Sequence, residues 1–550
     1  MGAYAGQLAI RPLGDALFDP PAGKYLLVLP LLFYKAAFSV FGISDYTPYR
    51  IVGMGLTVAA AALFLVLAAR RVGYLLALPA AILVLFLGSS SEVTTTALRI
   101  PIQIAVVAGL GMLLALERRD LRGDIVACVL LLVSVTSHPL GTAFAGAAVV
   151  IVLGRPAPDR WRRAWVFAIP LILFALWYVT LRDPAPNSAS FGDQVGDLPR
   201  FVFQSLVTMV GAITGVFRSP FSGSIDFLNP VAYILGMLAF VGIGLRAITG
   251  RMPATFWGIL VAVLILFAAP AFAPGVLRSP TASRYIFPGV ILLLLLVCET
   301  VRDVRFTGRS AQIALGTVAV VFVVGLYSNS IMLEKNARAW ASVGDQVRAE
   351  LAALDLARGH VDPTFLPEDP AAPVQVPNTH LIMTASQYYI VSDAYGSPAF
   401  SSTELRTAPL EDRRVADIVL ARALDVRLRP TPSLEPSRDA AAPEVVASDA
   451  DSSDSGPSCI VLTPGDAPAS SQILLPRGGV ALSTSGSEPV GLVLGRFGGY
   501  DYPLQPLQPE GAAALLIPPD ADQTPWRLYL RPTEQDVTAC GVDLSALLGG

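Results

Sequence analysis

The chain has 550 residues, of which 53% are hydrophobic and only 15% are charged, and its mean hydropathy is +0.59. These values are far from those of soluble globular proteins and indicate an integral membrane protein. The formal net charge is −3, and the basic residues do not form one patch, which excludes an electrostatic argument for nucleic-acid binding. The sequence contains no Walker loop, HExxH or GxSxG motif. Its three histidines are not spaced as ligands, so no cofactor is evident and a divalent metal has no support.

Residues 1–49 are predicted to form an outer segment that precedes the first span. Asp15 and Asp19 stand just before a Pro-Pro turn. They are interpreted either as turn and helix-cap residues or as carboxylates of a functional site. The apolar segment 24–42 either crosses the membrane or lies along its outer surface. The residues themselves leave both alternatives open.

Ten apolar stretches of about helix-spanning length follow between residues 50 and 332. They are 50–69, 74–89, 98–116, 124–137, 140–154, 163–181, 228–246, 254–272, 285–300 and 311–331. The stretches 124–137 and 140–154 are short and are interrupted by Ser137-His138-Pro139, so they form either two short helices or one re-entrant hairpin. A further apolar segment, 201–217, is interpreted as a helix in the outer interface.

Every second connector between these stretches is rich in arginine. The arginines are Arg70 and Arg71; Arg118, Arg119 and Arg122; Arg155, Arg160, Arg162 and Arg163; Arg246 and Arg251; and Arg302, Arg305 and Arg309. Short loops of this kind stay on the cytoplasmic side of a membrane. The alternation predicts a multi-pass protein of a bacterial plasma membrane, with an all-α domain over 1–332 and everything after residue 332 extracytoplasmic.

The carboxy-terminal part is predicted to have three sections. Residues 333–430 form a helix and an α/β region, with helices at 333–358 and 410–424 and a strand at 380–384. Residues 431–458, rich in Pro, Ser and Asp, are predicted to be a disordered linker. Residues 459–550 contain six short strand-like runs, typical of a small β-sandwich. Cys459 and Cys540 are a disulfide candidate, provided that this part faces an oxidising compartment.

Several polar residues on the predicted outer side are candidates for binding a ligand. The cations there oppose the positive-inside bias; they are Lys24, Arg50, Arg99, Arg218, Arg278 and Arg284. Taken singly, each cation is interpreted as a side chain that extends toward the lipid headgroups of the bilayer. Taken together, the six cations favour a binding site for an anionic lipid headgroup. Tyr285 follows Arg284 as an interface anchor. Glu92 is interpreted either as a residue that stabilises a helix N-terminus or as part of a binding site. His138 is interpreted either as a histidine at the membrane interface or as part of that site.

Three runs carry a resemblance to a known superfamily. They are PPAGKYLLVLPLLFYKAAFSVFGISDYTPYRIVGMGLTVAAAALFLVLAARRVG, ALERRDLRGDIVACVLLLVSVTSHPLGTAF and SRYIFPGVILLLLLVCE. They resemble the first outer loop and later spans of GT-C superfamily membrane glycosyltransferases, and in particular actinobacterial membrane proteins of that type. The resemblance covers about residues 10–332. It implies transfer of a sugar from a polyprenyl-phosphate donor to an envelope glycan or protein, with 24–42 as a juxtamembrane helix.

In that superfamily the catalytic acidic residue directly follows the first membrane helix. In this sequence, neither that helix nor that acidic residue is found before the region of resemblance. Two hypotheses therefore stand. In the first, the protein is a glycosyltransferase, with Asp15 or Asp19 as the base and with Arg278 and Arg284 holding the lipid phosphate. In the second, it is a non-catalytic membrane protein that binds a lipid-linked glycan or scaffolds envelope assembly. Both make membrane lipid a partner, and neither identifies a protein partner.

Overall fold

The computed structural model describes residues 2–18, 26–181, 191–216, 229–272, 279–304, 307–369, 383–431, 440–456, 458–464, 468–498 and 502–542. The chain divides into two compact units, a helical unit over Ala3–Ala341 and a carboxy-terminal unit over Ser342–Gly550. The boundary lies within a long helix, nine residues beyond the end of the membrane domain predicted from sequence.

The helical unit consists of helices joined by short connectors. They are α1 Gly2–Ile10, α2 Leu13–Phe18, α3 Val28–Phe41, α4 Thr47–Val72, α5 Tyr74–Leu85, α6 Ser91–Thr95, α7 Ile100–Leu116, α8 Leu121–Ser137, α9 Gly141–Leu153, α10 Ala157–Arg163, α11 Trp165–Thr180, α12 Phe191–Gly196, α13 Leu198–Thr214, α14 Pro230–Thr249, α15 Ala254–Ala268, α16 Ser283–Val301 and α17 Arg309–Leu356. Helix α17 continues into the carboxy-terminal unit.

Local sequence explains where these helices begin and end. Pro48 stands in the first turn of α4, where its missing N–H costs nothing, and Gly73 ends that helix with a φ of 81°. Asp120 caps α8 by accepting a hydrogen bond from the backbone N–H of Gly123 at 2.6 Å. The reversals between consecutive helices are thus encoded by residues suited to the ends of helices.

Six of the described helices are long and apolar enough to cross a membrane. They are Thr47–Val72, Ala97–Leu116, Pro230–Thr249, Ala254–Phe272, Ser283–Val301 and Arg309–Leu356. A seventh crossing results if Tyr74–Leu85 and Gly88–Thr95, bent by 41°, form one broken span. The remaining three predicted stretches are also helical, but α8, α9 and α11 have only 17, 13 and 16 residues. The ten expected spans are therefore not confirmed, since only six or seven of them pass this test of length and hydropathy among the described residues.

Helix α13 differs from the interfacial helix expected over 201–217. Residues 205–212 are all buried, over more than two consecutive turns. A helix lying on a membrane surface buries one face only, so this helix packs inside the unit. Its neighbours are α14, α15 and α16.

Helices α4, α7 and α16 run in the same direction, because polar contacts join their two ends separately. Near the start of α7, Gln103 Nε2 donates to Thr57 Oγ1 of α4 at 2.9 Å. At their far ends Arg71 of α4 bonds Glu117, just after α7, at 3.0 Å and Glu299 of α16 at 2.6 Å. We call the first the polar-loop end, with residues 88–99, and the second the arginine end.

Two further arginine-rich connectors also reach the arginine end. Arg155 Nη2 donates to the carbonyl of Leu116 at 2.9 Å, and Arg246 Nε donates to that of Thr300 at 3.2 Å. The connectors that were predicted to share one face of the membrane therefore meet at one end of the unit.

The carboxy-terminal unit combines helices with two antiparallel sheets. Its later helices are α18 Ala385–Tyr395, α19 Ser402–Thr407 and α20 Leu410–Ala423. Its strands are β1 Leu428–Pro430, β2 Glu444–Ser448, β3 Asp451–Gly456, β4 Cys459–Thr463, β5 Ala469–Leu474, β6 Gly478–Thr484, β7 Leu492–Gly495, β8 Tyr502–Pro503, β9 Ala512–Ile517, β10 Arg527–Thr533 and β11 Val537–Gly541. One sheet has the order β1-β9-β6-β11-β4-β3, and the other β2-β5-β10-β7-β8.

Residues 431–458, expected to be a disordered linker, contain two strands among the residues described there. Strands β2 and β3 occupy much of this segment, and they pair with β5 and β4 respectively. Their polar side chains tolerate this position because each is the edge strand of its sheet. The strand expected at 380–384 lies largely outside the described residues. A disulfide joins Cys459 to Cys540, which are paired in register on β4 and β11.

Candidate functional site at the polar-loop end

The polar-loop end consists of a helix broken into short pieces. After α5 the chain makes a turn at Gly88–Ser90, forms α6, and makes a second turn at Ala97–Arg99 before α7. Side chains from other helices satisfy its freed carbonyl groups: Ser283 Oγ donates to Ser89 O, Asn336 Nδ2 to Gly88 O and Gln103 Nε2 to Val93 O, at 3.0 to 3.1 Å. Irregular backbone at membrane depth occurs where protein or a cavity surrounds it.

Gly88 places this loop directly against α17. A Cβ atom at this position would overlap the carbonyl oxygen of Asn329 and the backbone nitrogen of Leu333. Asn329 Nδ2 in turn donates to Ala212 O of α13 at 2.8 Å and to Gly325 O at 2.9 Å. The loop, α13 and α17 are thus fixed to one another by neutral hydrogen bonds.

The charged candidates predicted at this end come together. The Glu92 carboxylate accepts a hydrogen bond from Arg99 Nε at 2.7 Å and a second from Arg99 Nη2. His138 lies between α8 and α9, where its Nδ1 accepts from Leu140 N at 3.2 Å, and it interacts electrostatically with both Arg99 and Arg284. The Arg284 guanidinium carbon stands 5.2 Å from the ring centroid of Tyr285. We call these five residues the polar-loop cluster.

The other candidates are not part of that cluster. Asp15 is exposed on the short helix α2. Trp177 Nε1 stabilises the end of this helix by donating a hydrogen bond to Phe18 O at 3.0 Å. Arg50 is exposed in the first turn of α4. Asp19, Lys24, Arg218 and Arg278 lie outside the described residues. The structure therefore places one catalytic candidate on the surface and leaves the other unplaced.

The sequence analysis missed the neutral polar residues that position the cluster. They are Ser89, Gln103, Ser283, Asn329 and Asn336. Gln103 interrupts an apolar run, and a lone amide in such a run signals a buried partner. That signal was available in the sequence, whereas the identity of each partner was not.

The cluster can hold an anion, because guanidinium groups and imidazole N–H groups are donors that match phosphate oxygens. Among the described residues no group of three His, Cys, Asp or Glu side chains is placed to hold a metal ion. No family model matches the sequence, and no curated protein matches it.

Proposed function

We propose that the protein binds the phosphate of a polyprenyl-linked sugar at the polar-loop cluster and acts as a membrane glycosyltransferase of the GT-C type. One observation supports the proposal: Arg99 and Arg284, from separate parts of the chain, both act electrostatically on His138 at the polar-loop end. Two guanidinium groups and an imidazole supply positive charge and hydrogen-bond donors of the kind that a phosphate takes. Tyr285, beside Arg284, is suited to the level of lipid headgroups.

The proposed topology puts this cluster on the outer side of a bacterial plasma membrane. The arginine connectors meet at the opposite end, and short loops rich in arginine remain cytoplasmic. Asn336 of α17 contacts Gly88 at the polar-loop end. In the proposed topology, the chain after Asn336 therefore starts on the outer side of the membrane. A disulfide between Cys459 and Cys540 agrees with an oxidising compartment. An envelope glycan or protein is the proposed acceptor.

Sugar transfer needs a carboxylate base near the acceptor hydroxyl. Glu92 stands in the cluster, bonded to Arg99, while Asp15 is exposed on α2. The engagement of Glu92 with Arg99 favours a second candidate function, in which the protein binds the lipid-linked sugar without transferring it. Both functions use the same phosphate site and differ in the presence of a free base.

Binding is tested with polyprenyl phosphate and the full-length protein in lipid nanodiscs. Arg284→Gln is expected to weaken binding about tenfold or more, because a charge-assisted pair with phosphate is lost. Arg338→Gln is the matched control, since Arg338 is an exposed arginine on α17 whose partner is Glu334. Equal affinity in the wild type, Arg284→Gln and Arg338→Gln proteins would refute the site.

Transfer separates the two candidate functions. With a labelled polyprenyl-phosphate sugar as donor, Asp15→Asn and Glu92→Gln are tested for loss of transfer with binding retained. Transfer that disappears in one of them supports the enzyme and identifies its base. Binding without transfer in the wild type supports the binding protein. A reporter at residue 550 tests the topology, and a cytoplasmic signal would contradict it.

A further inference from the structure

A cavity of about 340 Å³ opens at the arginine end, away from the polar-loop cluster. Its charged lining residues are Arg70, Arg71, Glu117, Arg119, Arg155 and Arg302. Five guanidinium groups therefore face one carboxylate among the lining residues. A cavity with this imbalance attracts anions, because its low-dielectric walls focus the field of the charges that line it.

The arginines around the cavity are held in place rather than freely solvated. Arg70 and Arg71 bind the two oxygens of Glu117 at 2.6 and 3.0 Å, and Arg71 also binds Glu299. The Glu299 side chain is fully buried, and its second oxygen stands 3.7 Å from Arg302. These carboxylates orient the guanidinium groups and leave positive charge in excess on the cavity wall.

Arg119 and Arg155 supply further positive charge to the cavity lining. Burial, and next the neighbouring charge of Arg119, lower the pKa of Arg155, while Asp159 acts in the opposite direction. Arg155 also donates to Leu116 O, which fixes its guanidinium group. Two arginines that repel each other in the lining of one cavity gain free energy when an anion binds beside them.

The remaining walls match the rest of an amphiphilic ligand. Leu113, Leu116, Ile151 and Ile259 provide apolar surface. The Thr255 hydroxyl also lines the cavity, and it is buried without a hydrogen-bond partner among the described residues. Such a hydroxyl is normally satisfied in a native protein, which points to a ligand or water at this position.

We propose that this cavity is a second anion site that binds a phosphate ester, with guanidinium groups on the phosphate and the apolar wall along its organic part. The volume is in the range of small-molecule pockets and is roughly ten times the share of one water molecule, which exceeds the needs of inorganic phosphate. Basic pockets between membrane helices on the cytoplasmic side bind anionic lipid headgroups. A phospholipid of that leaflet and a soluble phosphate ester offer the same chemistry.

Native mass spectrometry of the full-length protein, titrated with phosphatidylglycerol, phosphatidylcholine or glycerol phosphate, tests whether the site binds a phosphate ester. It also tests whether that ester is a lipid or a soluble molecule. The wild type is expected to prefer phosphatidylglycerol to phosphatidylcholine. Replacing both Arg119 and Arg155 by Gln is expected to weaken that binding about 25-fold, or about fivefold for each arginine. Arg118→Gln is the matched control, because Arg118 is exposed on the same connector and pairs with Asp120.

A double Arg119→Lys, Arg155→Lys variant keeps both charges and is expected to retain most of the affinity, which separates loss of charge from loss of folding. Competition by glycerol phosphate assigns the site to a soluble ester, and binding of phosphatidylglycerol without such competition assigns it to a lipid. Equal binding by the double Gln variant and Arg118→Gln, or wild-type protein that neither prefers phosphatidylglycerol to phosphatidylcholine nor binds glycerol phosphate, would overturn the proposal. Arg284→Gln should bind normally here, so this site and the proposed function fail independently.

Discussion

Two buried arginines, Arg71 in the helical unit and Arg496 in the carboxy-terminal unit, show two ways of holding a charge. The Arg496 side chain is 1% exposed, and it bonds both oxygens of Asp520 at 2.6 and 3.0 Å. Its remaining donors reach the carbonyl groups of Asp522 and Thr524 at 2.8 Å. Arg71 is 5% exposed and donates to Glu117, Glu299 and the carbonyl of Leu67, beside a cavity.

Every guanidinium nitrogen of both arginines has an acceptor, so the difference lies in the carboxylates. The acceptors of Arg496 come from one short stretch of chain, so this cluster stabilises a loop. In the Arg71 cluster, one buried oxygen of Glu299 has no hydrogen bond among the residues that the structure describes. A closed network indicates a structural role, whereas an open one next to a cavity indicates binding.

Removing Asp520 is expected to have the largest effect, because it leaves the buried Arg496 with only the more distant carboxylate of Asp522, 3.8 Å away, as a charged partner. Asp520→Ala should destabilise the carboxy-terminal unit by about 3–5 kcal/mol. Hydrogen exchange over β7 and β10 in the full-length protein measures this as a lower opening free energy. The control is Asp536→Ala, which removes an exposed carboxylate from the same unit. Similar exchange in both variants would mean that the Arg496 network contributes little.

A pH dependence tests whether α20 helps to close the Arg496 cluster. The Asp417 carboxylate of α20 is buried and accepts hydrogen bonds from the backbone N–H groups of Arg496 and Phe497 at 2.9 to 3.1 Å. Burial raises the pKa of Asp417 to about 6, and these hydrogen bonds lower it only in part. The folded state therefore binds its proton more tightly than the unfolded state, so this group costs stability as the pH rises from about 4 to about 6.

The expected size of that loss is about 3 kcal/mol, from a shift of roughly two pH units. Asp417→Asn cannot titrate, so its stability relative to the wild type should improve by up to this amount between pH 4 and pH 7. Carboxylates with lowered pKa values, such as Asp522, act in the opposite direction but are present in both proteins. Hydrogen exchange of residues 492–497 at both pH values measures the difference. Parallel pH profiles for the two proteins would contradict the assignment.

Sequence patterns predicted the elements of this protein better than they predicted their contacts. The helix expected over 410–424 is α20, because apolar residues at helical spacing identify it. Strand β6 was missed, since Gly478-Gly479 reads as a turn, yet both glycines have positive φ inside the strand. The pairing of Arg71 with Glu299 joins residues 228 positions apart. No periodicity encodes such a partner, because helix packing alone decides it.

The same limit applies to the candidate site. Arg99 and Arg284 were selected because charge at the predicted outer face opposes the positive-inside bias, and His138 because it interrupts two apolar stretches; in the structure both arginines act electrostatically on His138. Arg50 met the same criterion and is exposed. The bias identifies unusual cations, but only tertiary packing separates those that converge from those that face solvent.

A smaller effect is expected when the open network loses one charge. Glu299→Gln keeps an oxygen that accepts from Arg71 and retains the shape of the side chain, and Glu117 still pairs with Arg71. The expected destabilisation is about 1–2 kcal/mol, which is less than for Asp520→Ala. The melting temperature of the full-length protein in nanodiscs measures it, with Glu334→Gln on exposed α17 surface as control. A loss as large as that of Asp520→Ala would show that the Arg71 network is as closed as that of Arg496.

The smallest effect is expected at the solvent side of the same network. The Arg70 side chain is 53% exposed and bonds Glu117 at 2.6 Å, and exposed ion pairs contribute about 0–1 kcal/mol. Arg70→Gln should therefore change the melting temperature little, and any change should vanish at high salt, because salt screens exposed charges more than buried ones. Arg71→Gln, one residue away and buried, should have a larger effect that salt does not remove. If the two variants behaved alike, exposure would not distinguish the arginines of this network.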